Sequence, residues 1–269
     1  NAGCRALGKD DSQEPHVERL LQGFAFLASR IHLRLDDDFP ELTNALLGVL
    51  YPHYLQPVPS MSIVELAFDP KQAAVTEAYR IDRGTVIETE PVDDEPCRYR
   101  TCFDVDLLPI RVAAATLSGP PFKLPVVPPA GTAAVLRITL ETLSEAVTIG
   151  QLPLDQLRFH LHGGDSRGPF ELYELLLTRC LGTLVWHEGA DSRPTMLPAD
   201  ALSPGGFGDE DSAIPTEPRS FPGYRMLSEF FAFPEKFLFV DLQGLERSCR
   251  VAAGRRLELG ILLASTSRD

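Results

Sequence analysis

The sequence predicts an α+β protein, with an N-terminal helical segment followed by β-rich modules of mostly antiparallel strands and a few helices. Three observations predict this class. Apolar residues recur at helical spacing from residue 15 to residue 51, strand-like runs without a helix fill residues 61–143, and strands and helices mix from residue 151 onward. We therefore expect a helical segment at 1–56, a β-rich domain at 57–150 and an α+β domain at 151–269.

The first predicted helix covers residues 15–35 and carries apolar side chains on two sides. At about 100° per residue, one broad stripe forms, and Phe26 and Leu33 fall nearly opposite to it. The stripe consists of Val17, Leu20, Leu21, Phe24, Leu27, Ala28, Ile31 and Leu35. A helix with two apolar sides is usually covered on both. The sequence leaves open whether the second cover comes from this chain or from a partner helix that Phe26 and Leu33 would anchor.

A second helix is predicted at residues 40–51, after the acidic stretch "RLDDDF". Asp38 fits its N-cap and Glu41 completes a capping-box-like D-x-x-E, so the three adjacent aspartates are interpreted as a cap rather than a metal site. The helix ends in "LYPHYL", which adds aromatic side chains of the type enriched at protein interfaces. The partner-binding candidates of this segment are Phe26, Leu33, Tyr51 and Tyr54.

Strands are expected from residue 61 to about residue 143, after the proline-punctuated linker "LQPVPSM". The four runs are "MSIVELAF", "GTVIETE", "YRTCFDVDLLPIRVAAATL" and "AVLRITLETL". In the third run, apolar and polar residues alternate with the period of two that a half-buried strand requires. Residues 118–132 contain five prolines and are predicted to form a loop or extended connection.

The last segment is predicted to mix both kinds of element. A strand "LRFHLH" leads to a helix at 169–180 and a strand "TLVWHE"; a loop at 202–219, a helix near 223–232 and the strands "KFLFVDL" and "RRLELGILLAS" follow. The acidic run "GDEDS" at residues 208–212 lacks the spacing of a calcium-binding loop and is interpreted as a solvated loop.

Composition indicates a soluble globular protein without nucleic-acid chemistry. The 269 residues are 44% hydrophobic and 23% charged, and 38 acidic against 25 basic residues give a net charge of −13. A nucleic-acid-binding protein would need a basic footprint. No apolar run is long enough to span a membrane, and residues 1–14 lack the apolar core of a signal peptide.

One pentapeptide resembles a catalytic motif. Gly164-Asp165-Ser166-Arg167-Gly168 fits G-x-S-x-G between a strand-like and a helix-like run, which is the context of a serine hydrolase nucleophile. A triad would need an acid and then a histidine downstream. Only His187 follows Ser166, and the acids between them, Glu171 and Glu174, lie on the next helix. The same loop lacks the lysine of a P-loop. A turn that leads into the helix is the preferred interpretation.

Metal and redox chemistry are not favoured either. His160 and His162 could share one face of a strand, but no nearby cysteine or carboxylate pair completes a ligand set, so exposed histidines are expected. The five cysteines are scattered without a C-x-x-C pair and are expected to be reduced thiols. We therefore predict a non-enzyme without catalytic residues, cofactor or metal.

Several long segments resemble the TssF family (also called VasA or ImpG), a baseplate component of the bacterial type VI secretion system. These are "EPHVERLLQGFAFLASRIHLRLDDDFPELTNALLGVLYPHYLQPVPSMSIVEL", "CRYRTCFDVDLLPI", "LRFHLHGG" with "ELYELLL", and "RSFPGYRMLSEFFAFPEKFLFVDLQGL". Together they cover most of residues 15–245. TssF chains begin earlier and continue well beyond this C-terminus, so the resemblance implies the N-terminal part of such a protein.

The resemblance implies a cytoplasmic structural wedge subunit, assembled into a baseplate near the inner membrane. Its partners would be TssG and a second TssF copy, with TssE, TssK and the spike protein VgrG in the same assembly. The helices at 15–35 and 40–51 would then belong to a bundle shared with the second copy and TssG. The alternatives that remain are a serine hydrolase using Ser166 and a β-rich ligand-binding module.

Overall fold

A computed structural model describes residues 15–36, 40–68, 78–91, 94–163, 167–187, 194–215 and 220–266. The chain divides into two compact units. The first comprises Asn1–Pro57 with Glu217–Phe221, and its regular structure is helical; the second comprises Val58–Thr216 with Pro222–Asp269 and contains the sheets.

Two helices form the first unit. Helix α1 spans Pro15–Asp36 and helix α2 spans Pro40–Leu50, close to the predicted bounds. Both begin at a proline, whose fixed φ suits the first turn and whose missing N–H costs no hydrogen bond there. Pro52 ends α2 because it has no N–H to continue the helical hydrogen bonds and its ring disfavours the helical conformation at Tyr51; Pro52–Tyr54 forms a 3-10 turn. The predicted cap Asp38 lies outside the described residues.

The second unit carries twelve short strands and three helices among its described residues. The strands are β1 Tyr79–Ile81, β2 Val86–Glu88, β3 Arg98–Arg100, β4 Val105–Leu107, β5 Ile110–Ser118, β6 Ala134–Thr142, β7 Leu157–His160, β8 Cys180–His187, β9 Thr195–Leu197, β10 Leu202–Pro204, β11 Phe239–Leu242 and β12 Arg256–Leu263. The helices are α3 Gly168–Thr178, α4 Pro222–Ala232 and α5 Glu246–Arg250. The α+β class is confirmed, and every strand pairing between these elements is antiparallel.

The main sheet has five strands in the order β5-β6-β12-β8-β9. The last strand of the chain, β12, therefore lies in the middle, where Leu259 is opposite Ile138 on one side and Val185 on the other. A three-stranded sheet, β10-β11-β7, and two small ribbons, β1-β4 and β2-β3, complete the unit. Because β6 precedes residue 150 while β8 and β12 follow it, one sheet joins the segments predicted as separate domains at 57–150 and 151–269.

The two faces of β6 differ in chemistry. Leu136, Ile138 and Leu140 point into the apolar core, which also receives side chains from the three-stranded sheet and α3. On the other face, Glu258 accepts hydrogen bonds from Arg137 Nε at 2.8 Å and from the Thr139 hydroxyl at 2.9 Å. This is the alternation that a strand with one apolar and one polar face requires.

One edge of the main sheet is open among the described residues. Strand β5 pairs only with β6 there, and its residues Val112 and Leu117 lie opposite the core residues Leu140 and Leu136. Both remain about half exposed. The apolar face of the sheet therefore continues to this edge without a full cover from the described chain.

The predicted strand at 61–68 is wrong, because this segment forms no ladder in the part of the chain that the structure describes. A strand needs inter-strand hydrogen bonds as well as a suitable side-chain pattern. By contrast, "AVLRITLETL" forms β6, and the proline-rich residues 118–132 lie almost entirely outside regular structure, as predicted.

Candidate assembly surface

Helix α1 exposes both of its apolar sides. The broad stripe predicted to face a core is open along its length, and of its eight members only Ala28 is half-buried. On the opposite side, Phe26 is 64% and Leu33 is 65% exposed. Exposed apolar side chains on two sides of one helix form a surface that water solvates poorly.

Helix α2 continues this exposed apolar character. None of its residues is buried. Of its large apolar side chains, Leu42, Leu46, Val49 and Leu50 are exposed and Leu47 is half-buried. These exposed side chains become buried in an apolar contact only if a second surface approaches them.

The end of α2 holds the two candidate tyrosines together. The Tyr51 N–H donates to the Leu47 carbonyl at 2.6 Å, and the Tyr54 N–H donates to the Tyr51 carbonyl across the 3-10 turn at 3.0 Å. The turn brings the rings into an edge-on arrangement with centroids 6.1 Å apart. Both rings are exposed. A fixed aromatic pair loses little side-chain entropy on binding, which is a property of residues that contribute strongly to interfaces.

The structure therefore leaves all four predicted partner-binding residues exposed within one unit. Phe26 and Leu33 lie on α1, and Tyr51 and Tyr54 lie at the end of α2. We call these four residues together with the exposed apolar side chains of α1 and α2 the helical surface. Its chemistry suits burial against other helices, because such helices pack through side chains at i, i+3, i+4 and i+7.

The second unit contains a buried polar cluster that the sequence did not reveal. Arg158 of β7 donates from Nε and Nη2 to Asp241 at 2.7 and 2.8 Å, and from Nη1 to Asp211 at 2.7 Å. Hydrogen bonds to these carboxylates raise the pKa of the Arg158 guanidinium above its ordinary value, although burial alone would lower it. The predicted solvated loop is therefore only partly solvated: Asp209 and Glu210 are exposed, whereas Asp211 and Ser212 are buried.

This cluster has the geometry of a structural ion-pair network. Each charged group has a partner of opposite charge at hydrogen-bond distance, and the acidic loop is tied to β7 and β11 through them. Arg83 also reaches the loop, donating to the Ser212 hydroxyl at 2.7 Å. Groups paired in this way hold a loop in place.

The catalytic and metal-binding alternatives receive no support from the described residues. Ser166 lies outside them, and α3 begins at Gly168, after the serine, as predicted. His160 is half-buried at the end of β7 with its Nε2 3.1 Å from the Glu235 carbonyl oxygen, and His162 is exposed beyond the strand. No group of three or more potential ligands occurs among the residues described. Burial raises the pKa of the Cys249 thiol to about 12, which removes its nucleophilic thiolate form at neutral pH.

The comparisons with known proteins decide the family. The family model described as "Type VI secretion system, TssF" matches residues 2–269. The chain belongs to the TssF family. This confirms the resemblance that the long segments indicated.

Two similar proteins give the extent of the match. This TssF-family chain is 40% identical over 267 residues to the "Type VI secretion system component TssF1" of Pseudomonas aeruginosa. The aligned region covers 97% of this chain and 42% of that relative. It is also similar to one chain of a cryo-electron microscopy structure of the type VI secretion system TssK-TssF-TssG baseplate subcomplex, with a TM-score of 0.73 and 31% identity. That match covers 93% of this chain and 45% of the solved one. This TssF chain thus spans less than half of the length of both proteins.

No helix among the described residues of this TssF chain has the length and apolar character to cross a membrane.

Proposed function

We propose that this chain is a structural wedge component of a type VI secretion baseplate, which acts by protein–protein assembly rather than by chemistry. The observation that carries the proposal is the helical surface. Within the described chain, nearly all large apolar side chains of α1 and α2 are exposed. The family assignment to the type VI secretion system supports the kind of assembly that we propose.

The partners that we propose for the helical surface are TssG and a second TssF copy. Support comes from a similar solved chain that belongs to a complex of TssK, TssF and TssG. Two apolar sides on α1 allow the helix to pack against two neighbours at once, which suits a bundle of helices from several chains. TssK, TssE and VgrG would join the same baseplate, and the assembly would lie in the cytoplasm close to the inner membrane.

Burial of this surface supplies a physical reason for assembly. Each large apolar side chain that becomes fully buried contributes about 1.5–3 kcal/mol. The helical surface offers more than ten such side chains. Association costs about 4–15 kcal/mol before the ordering of side chains is added, so only the surplus of this burial appears as binding free energy.

Co-expression with the TssG-type protein of the same gene cluster, followed by light scattering on the purified complex, tests the proposal. We expect a stable species with two copies of this chain per TssG. The double variant Phe26→Asp with Leu33→Asp places two charges in the contact and is expected to weaken complex formation at least about a hundredfold, since anchor residues contribute 2 kcal/mol or more each.

The control is Val127→Asp with Val251→Asp, which adds the same charges at exposed apolar positions of the second unit. This variant should form the complex as the parent chain does.

Circular dichroism separates the two possible causes of a loss of complex formation in the Phe26→Asp with Leu33→Asp variant. Retained helicity assigns Phe26 and Leu33 to the partner contact, whereas loss of the fold assigns them to the core and contradicts the proposal. The proposal is also contradicted if neither this chain nor the full-length protein that contains it forms a complex with TssG.

A further inference from the structure

Residues 61–68 have the composition of a strand but pair with no strand in the described chain. The segment "MSIVELAF" contains no glycine or proline, and Ile63, Val64 and Phe68 are of the types enriched in strands. Among the described residues its one hydrogen bond is local, from the Ser62 hydroxyl to the Ile63 carbonyl oxygen at 3.5 Å. The other backbone N–H and C=O groups of the segment are therefore available to a partner strand.

Strand β5 lacks a neighbour on one side. It pairs with β6 along one edge, and no described strand pairs with the other edge. The ladder shifts at a bulge between Val112 and Ala114, and beyond it residues 114–118 pair with β6 without interruption. Long edges usually carry charges or prolines that discourage added strands, yet β5 has no proline and Arg111 is its only charged residue. Its outer edge can therefore accept one more strand.

The segment and the strand match in length and in apolar side chains. Strand β5 has nine residues, and the segment has eight. On the side of β5 that faces the core, Val112 is 52% and Leu117 is 47% exposed. At the strand period of two, one side of the segment would carry Val64, Leu66 and Phe68. An added strand with this side toward the core would continue the apolar row of the sheet beyond β5.

The charges of the two segments are opposite. Glu65 is the only charged residue of the segment, and it is exposed. The Arg111 guanidinium of β5 contacts Glu141 at 3.0 Å, and Arg256 contacts the same carboxylate at 3.5 Å. Because two guanidinium groups share this carboxylate, Arg111 retains N–H donors for a second one. Glu65 supplies a carboxylate of the required charge.

We propose that residues 61–68 of one copy of this chain add as a strand to the outer edge of β5 in a second copy. Within one chain the described structure does not make this pair. Every copy carries both halves of it, so two copies can exchange strands reciprocally about a two-fold axis. Backbone hydrogen bonds would supply the affinity, and the apolar row and the opposite charges would select the side that faces the core.

This contact differs from the assembly role proposed above. It uses residues of the second unit, none of which belongs to the helical surface, and it requires no TssG. Because it forms between molecules, it depends on the concentration of the chain, and a dilute chain keeps β5 open.

Photo-cross-linking of the purified chain tests the pairing. Val64→p-benzoylphenylalanine is irradiated at increasing chain concentrations, and the products are separated by mass. We expect a product of twice the chain mass that increases with concentration. Trypsin digestion of this product should give residues 35–71 joined to residues 112–123 of β5. The matched control is Val127→p-benzoylphenylalanine, since Val127 is 93% exposed in the loop after β5, and it should give no product that joins two chains through residues 112–123.

A second substitution in the photoreactive chain tests the receiving edge. Ala115 lies opposite Ile138 and is exposed, so Ala115→Lys should leave the thermal midpoint of the dilute chain unchanged. We expect it to lower the yield of the adduct at least about tenfold, because a charge beside the apolar row disfavours the added strand. Ala130→Lys makes the same change at an exposed alanine of the loop and should leave the yield unchanged.

The proposal is overturned if no product of twice the chain mass forms, or if the adduct of position 64 stays within one chain. It is also overturned if that adduct joins a segment other than β5, or if Ala115→Lys leaves its yield unchanged.

Discussion

At the scale of single residues, Glu229 shows how the second unit is held together. Its carboxylate is fully buried and accepts three hydrogen bonds, from Lys236 Nζ and from two backbone N–H groups of the acidic loop. A buried ion pair contributes little when it replaces an apolar pair, but loss of one partner leaves the other charge buried and unpaired. The loop then also loses the two backbone hydrogen bonds that Glu229 accepts from Ala213 and Ile214.

We expect Glu229→Ala to lower the free energy of unfolding by about 3–5 kcal/mol, because Lys236 stays buried without its anion. Urea denaturation followed by fluorescence measures the change. Glu235→Ala is the control, since Glu235 is exposed, and its cost should stay below about 0.5 kcal/mol. Equal stability of the two variants would show that the buried pair does not anchor the loop.

The acidic run "GDEDS" shows what the sequence could not reveal at this scale. Its composition predicted solvation, and Asp209 and Glu210 are indeed exposed. Asp211 is buried because Arg158, 53 residues earlier in the chain, donates to it at 2.7 Å. A partner that distant leaves no local pattern, so the burial of Asp211 depends on the tertiary fold alone.

At the scale of elements, β5 and β6 form a natural comparison of a covered and an open strand. Leu136 and Leu117 are paired in the register, so their side chains lie on the same side of the sheet. Leu136 is 7% exposed and Leu117 is 47% exposed. Leu117, on the open edge, therefore lacks much of the packing that Leu136 has inside the sheet.

We expect Leu136→Ala to destabilise the chain by about 2–5 kcal/mol, because it leaves a cavity in the core. Leu117→Ala should cost about 1 kcal/mol or less, because water already reaches that side chain. Thermal unfolding of the two variants side by side measures the difference. If Leu117→Ala costs as much as Leu136→Ala, the edge is covered in solution, and the open edge described above is contradicted.

Elements with a strong periodic pattern could be predicted from the sequence. Features that depend on contacts with distant parts of the chain could not. Helix α1 was found because apolar residues repeat at helical spacing over 22 residues. The strand predicted at 61–68 failed because a suitable pattern does not supply a hydrogen-bonding partner. Helix α4 was located correctly, but the burial of Arg225 and Glu229 was missed, because only their tertiary contacts show which side of the helix faces inward.

At the scale of the whole molecule, the two units differ in how many of their residues are buried. Every buried residue among those that the structure describes lies between Pro109 and Leu263. The helical surface contributes none, although it is rich in large apolar residues. The sequence predicted Phe26 and Leu33 as partner-binding candidates from helical spacing, and Tyr51 and Tyr54 from the enrichment of aromatic residues at interfaces. Which protein covers them depends on a second chain, and no single sequence carries that information, so their role stays a prediction.

Deletion of residues 1–57 is therefore expected to leave the cooperative unfolding of the second unit in place, with a thermal midpoint within about 4 °C of the parent, which corresponds to roughly 1 kcal/mol. Differential scanning calorimetry measures this midpoint. As a control, deletion of residues 255–269 removes β12 from the middle of the main sheet and should abolish the transition. If deletion of residues 1–57 also abolishes it, the helices are part of the folding core.

The central place of β12 has a consequence for synthesis in the cell. A ribosome makes β6 and β8 long before β12, yet β6 and β8 meet only through β12. Until residue 263 leaves the exit tunnel, each of the two earlier strands has one side without its final partner, and free strand edges promote association between nascent chains. Chaperones that bind exposed apolar strands during translation would thus act on this sheet from the synthesis of β6 until that of β12.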